Sequence, residues 1–229
     1  MSVNTKKDFF YDTQLKPGDS LPGKRLPAAK VYASPIETVA LPEPPRLRGT
    51  PVWKVLRSLK AALPQTSYSL PLADFSQLLL PLSARDGRRG YPSEGDTYPL
   101  EAYIAVQHVQ DIYPGVYHYA VKGHQLEQIG TGFDPDEWRA ALWDLAGVEL
   151  SACLLALTIV PERSLAMYGL RGHRYAVLEV GYAVGELMVA ASALGLSASP
   201  VATFYDEKVR EKLFLPASEH PAVVLAVGG

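Results

Sequence analysis

Cysteine is almost missing from this chain. Its 229 residues include one, Cys153, set in the apolar run ACLLALTIV. A disulfide framework and a cysteine-based metal site are thereby excluded, and a reducing compartment is the simpler reading. Net charge is almost missing too: 22 Lys and Arg stand against 24 Asp and Glu, a formal −2. So balanced a chain offers no electrostatic case for nucleic acid or an anionic membrane as partner. The amino-terminal MSVNTKKDFFYD is polar and charged, without the apolar stretch of a signal peptide, and the longest apolar runs read as strand-length. The expectation is a cytoplasmic chain with no membrane span. The five histidines (108, 118, 124, 173 and 220) lack the paired helical spacing of zinc proteases, so no metal site is expected. GxGxxG, Walker and GxSxG motifs are missing as well, which argues against a Rossmann enzyme.

What is present is an ordinary apolar fraction, 48%, and 19 prolines crowded towards the start. Residues 1–50 are rich in Pro and Gly without period, which forbids a long helix or a central strand. They read as an extended arm wrapping a surface, its own or a partner subunit's, with Phe9, Phe10, Tyr11 and Tyr32 as apolar anchors. A loose leader is the alternative. Residues 51–229 read as one domain. PVWKVLRSLKAAL and PLADFSQLLLPL have helical spacing. LEAYIAVQHV and GVYHYAV read as strands, the latter joined through KGHQ to LEQIG in a hairpin. DPDEWRAALWDLAG reads as a capped helix closed by Gly147, and ACLLALTIV as a strand buried on both faces. YAVLEVGYAVGELMVAASALGL is the strongest helix. It is apolar almost all round apart from Glu179 and Glu186, so it is expected to be buried, with small residues that let another helix approach. DEKVREKLFL reads as a short amphipathic helix and PAVVLAVGG as a final strand. The element order fits a single mixed α/β domain.

Three segments carry polar chemistry. LRSLK places Arg57, Ser58 and Lys60 together, a set able to hold a phosphate by charge-assisted hydrogen bonds or simply to form a solvated helix face. The turn GYPSEGDT, with Pro92, Ser93, Glu94 and Gly95, is either a connector or a cradle of backbone N–H groups. The stretch ALGLSASPVATFYD leaves a helix through Gly195 and offers the backbone N–H groups of Ala202 and Thr203.

In this order the segments RSLKAA, YPSEGDTYPLEAYIAV, MYGLRGHRYAVLEVGYAVGELMVAASALGLSASPVATFYDEKV and PAVVLAVGG resemble the FMN-dependent nitroreductase superfamily. The nearest branch is the SagB-type dehydrogenases, which oxidise azolines to azoles in modified peptides, with the oxidase domains of peptide synthetases beside them. The resemblance runs from about residue 50 to the end, and LKPGD and LPEPP look like the arm that precedes the domain in that branch. It implies an α+β fold, a three-layer α/β/α sandwich around a mixed, mostly antiparallel sheet, in an intertwined homodimer with two interfacial sites. It implies FMN as cofactor, with its phosphate and ribityl chain on Arg57, Ser58 and Lys60. Pro92, Ser93, Glu94 and Gly95 would line the ring. The amides of Ala202 and Thr203 would face flavin N5 and O4, acting on the other subunit's flavin.

The resemblance makes Tyr168 the candidate catalytic proton-transfer residue in the dehydrogenation of a peptide-like or carrier-bound substrate. A neutral phenol is a poor base near pH 7 unless a cation lowers it, and Arg163, Arg171 and Arg174 are near in sequence. The branch's Lys-Tyr pair reads Met167-Tyr168 here. Its helical His and Gln-Asn become Tyr182 and Gly185-Glu186, Ala202 and Thr203 stand where glycine is usual, and the chain stops at Gly229 where a basic residue is common. Two rival functions accompany the leading one. One is a catalytically silent homologue that binds or stabilises a partner; the other is a flavin reductase fed by a nicotinamide.

Overall fold

The structure is a computed structural model, and it describes residues 8–43, 50–84 and 86–229. The last two residues of the LPEPP stretch lie outside the described residues. The arm holds a short helix, α1 (Phe9–Asp12), and a short strand, β1 (Thr38–Ala40). Then follow α2 (Val52–Ser58), α3 (Leu72–Leu78), β2 (Leu100–Val106), β3 (Gly115–Ala120), β4 (Gln125–Thr131), α4 (Pro135–Ala141), β5 (Cys153–Ile159), α5 (Pro161–Tyr168), α6 (Gly172–Ala193), β6 (Ser197–Val201), α7 (Asp206–Lys212) and β7 (His220–Gly228).

The seven strands form one sheet in the order β1-β4-β3-β2-β5-β7-β6, and each neighbouring pair is antiparallel. Alternation along β2 builds its two faces. Leu100, Ala102, Ile104 and Val106 point into the core shared with α3 and α6, whereas Tyr103 and Ala105 point into the core shared with α4 and α7. The expected three-layer α+β sandwich is what the chain forms.

Several local expectations need correction. α4 begins as expected, with Asp134 accepting from the N–H groups of Asp136 and Glu137, but it ends at Ala141; Gly147 instead opens a later short 3-10 turn. The segment after α6, given no strand in the sequence reading, forms β6 in spite of Pro200. β6 is the sheet's outer strand, where a missing N–H disturbs no second neighbour. α6 is not buried all round. Ala176, Glu179, Ala183, Leu187 and Ala191 form its buried stripe, while Val177, Leu178 and Tyr182 are exposed and a Cβ on Gly181 or Gly185 would meet nothing within 4 Å. Nor are the apolar runs only strand-length: the stretch Pro161–Ala193 is long and apolar enough by length and composition to cross a bilayer. Its buried stripe packs against the sheet, with Ala183, Leu187 and Ala191 in the same core as β2 and β5.

The arm's anchors also differ from expectation. Phe9, Phe10 and Tyr11 are exposed. Tyr32 does pack, against the core shared with α4 and α7, and polar contacts fasten the arm beside it. Arg174 reaches the carbonyl of Phe10 and the hydroxyl of Thr13, and Gly23 and Lys24 donate their N–H groups to the carbonyls of Met167 and Ala166 at 3.0 and 2.9 Å. Beyond them, Lys30 enters the sheet's second face. Its N–H bonds Glu101 Oε1 at 2.7 Å, its Nζ bonds the Tyr103 hydroxyl at 2.7 Å, and it pairs with Glu219.

Candidate functional site

The turn from Pro92 to Gly95 is built by three hydrogen bonds. Ser93 Oγ accepts from the N–H of Tyr98 at 2.8 Å and donates to Glu179 Oε1 at 2.8 Å, and the N–H of Glu94 reaches the same Oε1 at 3.3 Å. Gly95 has φ +60°, and a Cβ there would collide with the Tyr168 hydroxyl, so glycine is required both for the backbone and for the phenol above it. The turn and Tyr168, 73 positions apart in the chain, thus form one surface. Glu94 is exposed on it, and the Tyr168 ring is half-buried, edge-on to Tyr175 with centroids 4.9 Å apart.

The electrostatics of this surface are acidic. Burial raises the Tyr168 phenol above its ordinary value, Glu94, Tyr175 and Asp96 add to that, and Arg25 of the arm opposes them. The arginines expected to lower it are committed elsewhere. Arg163 pairs with Glu101 and donates to the carbonyl of Tyr98, Arg171 lies over the Tyr175 ring, and Arg174 holds the arm. Tyr168 is therefore held as the neutral phenol, a proton donor rather than an activated base.

Glu179 was noted in the sequence only as an exception in an apolar helix, and the structure makes it central. It is 2% exposed, and its Oε2 is buried with no hydrogen-bond partner among the described residues. Burial raises its carboxyl to about 7, with Glu94 adding to the rise, against the pull of Ser93, the Glu94 N–H and Arg89. A single glutamate within an apolar helical run was the signal available in the sequence.

The other candidates lie apart from this surface. Ser58 and Lys60 edge a small hollow with Met188, Ser192, Ser197 and Ala198, at the end of α6. Ser58 spends its hydroxyl on the carbonyls of Lys54 and Val55, and Arg57 is exposed at the end of α2. Ala202 and Thr203 are exposed beside a separate cleft with Leu142, Trp143 and Pro200. A single chain does not gather the three segments into either hollow. Their chemistry nevertheless suits a flavin mononucleotide: two exposed cations for a phosphate, and a turn backed by an orphaned buried oxygen for a polar ring edge.

A buried charge network that sequence reasoning missed lies on the sheet's other face. His118 is buried between Glu127 (Nδ1, 2.8 Å) and Glu101 (Nε2, 3.0 Å), and Glu101 pairs also with Arg163. Glu219 accepts from Thr158 and pairs with Lys30. The signal was present in alternation: Glu101 and Tyr103 occupy one face of β2, and Tyr103 stands opposite His118 on β3.

The fold and this surface define a class, and the comparisons name it. Residues 59–229 match the model of the nitroreductase family. This chain belongs to the nitroreductase family. It is 32% identical over 165 residues to a nitroreductase homologue of Methanocaldococcus jannaschii, MJ1384, covering 71% of this chain and 82% of that protein. It is 28% identical over 133 residues to the microcin B17-processing protein McbC of Escherichia coli; the match covers 56% of this chain and spans about half, 49%, of McbC. Among solved structures, a nitroreductase homologue of Ralstonia eutropha has TM-score 0.71 at 21% identity, covering 90% of this chain and 94% of that one. A chain of the E. coli microcin synthetase McbBCD complex with truncated pro-MccB17 has TM-score 0.63 at 22% identity, covering 87% and 84%.

Proposed function

We propose that the protein is an FMN-dependent dehydrogenase that oxidises a peptide-like or carrier-bound substrate of the azoline type. The observation that carries this reading is the single surface on which the Ser93 turn, its orphaned Glu179 oxygen and Tyr168 meet. Kinship to McbC supports a processed peptide as the substrate class. When bound, FMN supplies a two-electron acceptor for hydride. The chain's own residues do the rest. Arg57, Ser58 and Lys60 bind the phosphate, and Pro92, Ser93, Glu94 and Gly95 line the ring. Ala202 and Thr203 offer N–H groups to its polar edge, and Tyr168 orients the substrate and exchanges a proton at its phenol oxygen. Because one chain keeps these segments apart, the reading includes a homodimer. The open face of α6, with Val177, Leu178, Gly181, Tyr182 and Gly185, is the surface through which a second copy completes each site.

The visible spectrum of the purified protein, taken before and after adding FMN and desalting, tests the reading. A retained flavin band is expected, and a colourless protein that releases added FMN overturns it. Tyr168→Phe is expected to lower turnover of a confirmed substrate at least tenfold; unchanged turnover removes Tyr168 from the chemistry. The acidic setting of Tyr168 and the presence of Met167 favour one rival, a silent homologue that stabilises a partner chain. That rival is expected to co-purify with another protein and without flavin.

A further inference from the structure

The Ser93 turn carries more carboxylate than an anion-binding surface tolerates. Glu94 lies in it and Glu179 beneath it, and both act on the same small region. Glu179 Oε1 takes both donors, Ser93 Oγ and the Glu94 N–H, while Oε2 is buried with no partner among the described residues. The nearby cation does not neutralise it. Arg89 is spent on the Tyr91 hydroxyl at 2.7 Å and on the carbonyls of Leu100 and Ala28 at 2.7 and 2.6 Å. Of the charged groups, Arg89 and Glu94 act on Glu179, and other titratable side chains stand on the elements around it. Arg163 of α5 is paired with Glu101 of β2, Tyr91 precedes the turn, Tyr168 ends α5, and Glu186 lies two turns along α6. Burial, one orphaned oxygen and a like charge beside it all favour the neutral acid of this carboxyl over its ionised form.

We propose that Glu179 is the proton-holding positioning residue of this site: it stays protonated when FMN is bound, and a proton is taken from solvent whenever FMN binds to the ionised form. The proposal rests on the flavin reading above and adds to it a named residue and a proton. In the neutral acid, Oε1 remains the acceptor that shapes the Ser93 turn. The proton on Oε2 removes a buried negative charge beneath the turn that would otherwise oppose an electron-rich ring lying on it.

The test is the affinity for FMN, read by quenching of flavin fluorescence between pH 6 and 8.5, for the wild type and for Glu179→Gln, which keeps the acceptor and cannot ionise. The ionisation of the FMN phosphate itself is common to both proteins and cancels in their ratio. Wild-type affinity is expected to fall, relative to Glu179→Gln, by up to about tenfold per pH unit above 7. Glu94→Gln, an exposed change, is expected to move the onset of that fall to lower pH, because the like charge that favours the acid has gone. The melting temperature of the apoprotein gives a readout without flavin: the wild type loses stability between about pH 4.5 and 7 relative to Glu179→Gln. Identical pH profiles in wild type and Glu179→Gln, with FMN bound by both, overturn the proposal and leave the flavin reading standing. Failure of both proteins to hold FMN at any pH overturns the flavin reading and the proposal with it. If Glu179→Gln does not fold, an unshifted Glu94→Gln profile overturns the proposal by itself.

Discussion

Two buried glutamates on opposite faces of the sheet show what burial does with and without partners. Glu101 is 1% exposed. Burial alone would raise its carboxyl, yet the hydrogen bond from His118 and the charge of Arg163, with His118 and Arg89 adding theirs, hold it down at about 2. Glu179 is 2% exposed, and burial wins, raising it to about 7. The difference is one of completeness. Around Glu101 both oxygens meet donors, from Lys30, Arg163 and His118. Around Glu179 one oxygen meets two uncharged donors and the other meets none. A closed network of charges fastens the arm and the sheet; an open one leaves a group free to exchange a proton. The first is a structural device, and the second carries the proposal made for Glu179.

The comparison breaks most severely at Arg163. Arg163→Met leaves Glu101 buried without its charged partner and is expected to cost about 3–5 kcal/mol of stability, read as a lower urea midpoint at unchanged slope. Lys30→Met leaves Glu219 without its charged partner and frees the arm. A loss of about 1.5–3 kcal/mol is expected, together with proteolytic cleavage between residues 14 and 36 that is faster than in the wild type. Gly95→Ala puts a side chain at φ +60° against the Tyr168 hydroxyl. It is expected to cost about 1–3 kcal/mol and to displace the phenol, seen as altered tyrosine fluorescence or near-ultraviolet dichroism.

The smallest and most discriminating effect is in pH. Glu101 has a folded value below its ordinary one, so its contribution is present above about 4.5 and is lost as pH falls towards 2. Glu179 has a folded value above its ordinary one, so its contribution is present below about 4.5 and is lost as pH rises through about 7. Glu101→Gln is expected to remove the acid-side slope and Glu179→Gln the neutral one, each leaving the other in place. Loss of both slopes from either change would merge the two regions into one electrostatic unit and end the contrast.

How much of this was legible differs from element to element. β2, β3, β4, β5 and α6 were readable because each carries its own period or continuous apolar run. β6 was not, because Pro200 is a breaker everywhere except on an outer strand, and edge position is a property of the sheet. Of the candidate site, Tyr168 and the Ser93 turn were singled out through motif resemblance, but their contact was not, since it depends on Gly95 coming beneath a ring 73 positions later. Glu179 was visible only as a blemish in an apolar helix.

By itself the sequence determined the local periods, the polar turn and the motifs of a nitroreductase-family chain, because these depend on residues within one turn or one strand of each other. Only the tertiary structure decided which carboxylate is completed by charge and which is left open. Lys30 lies 71 positions from Glu101 and 189 from Glu219, and Ser93 lies 86 from Glu179. The ionisation of a buried group depends on partners that only the folded chain brings within a few ångströms.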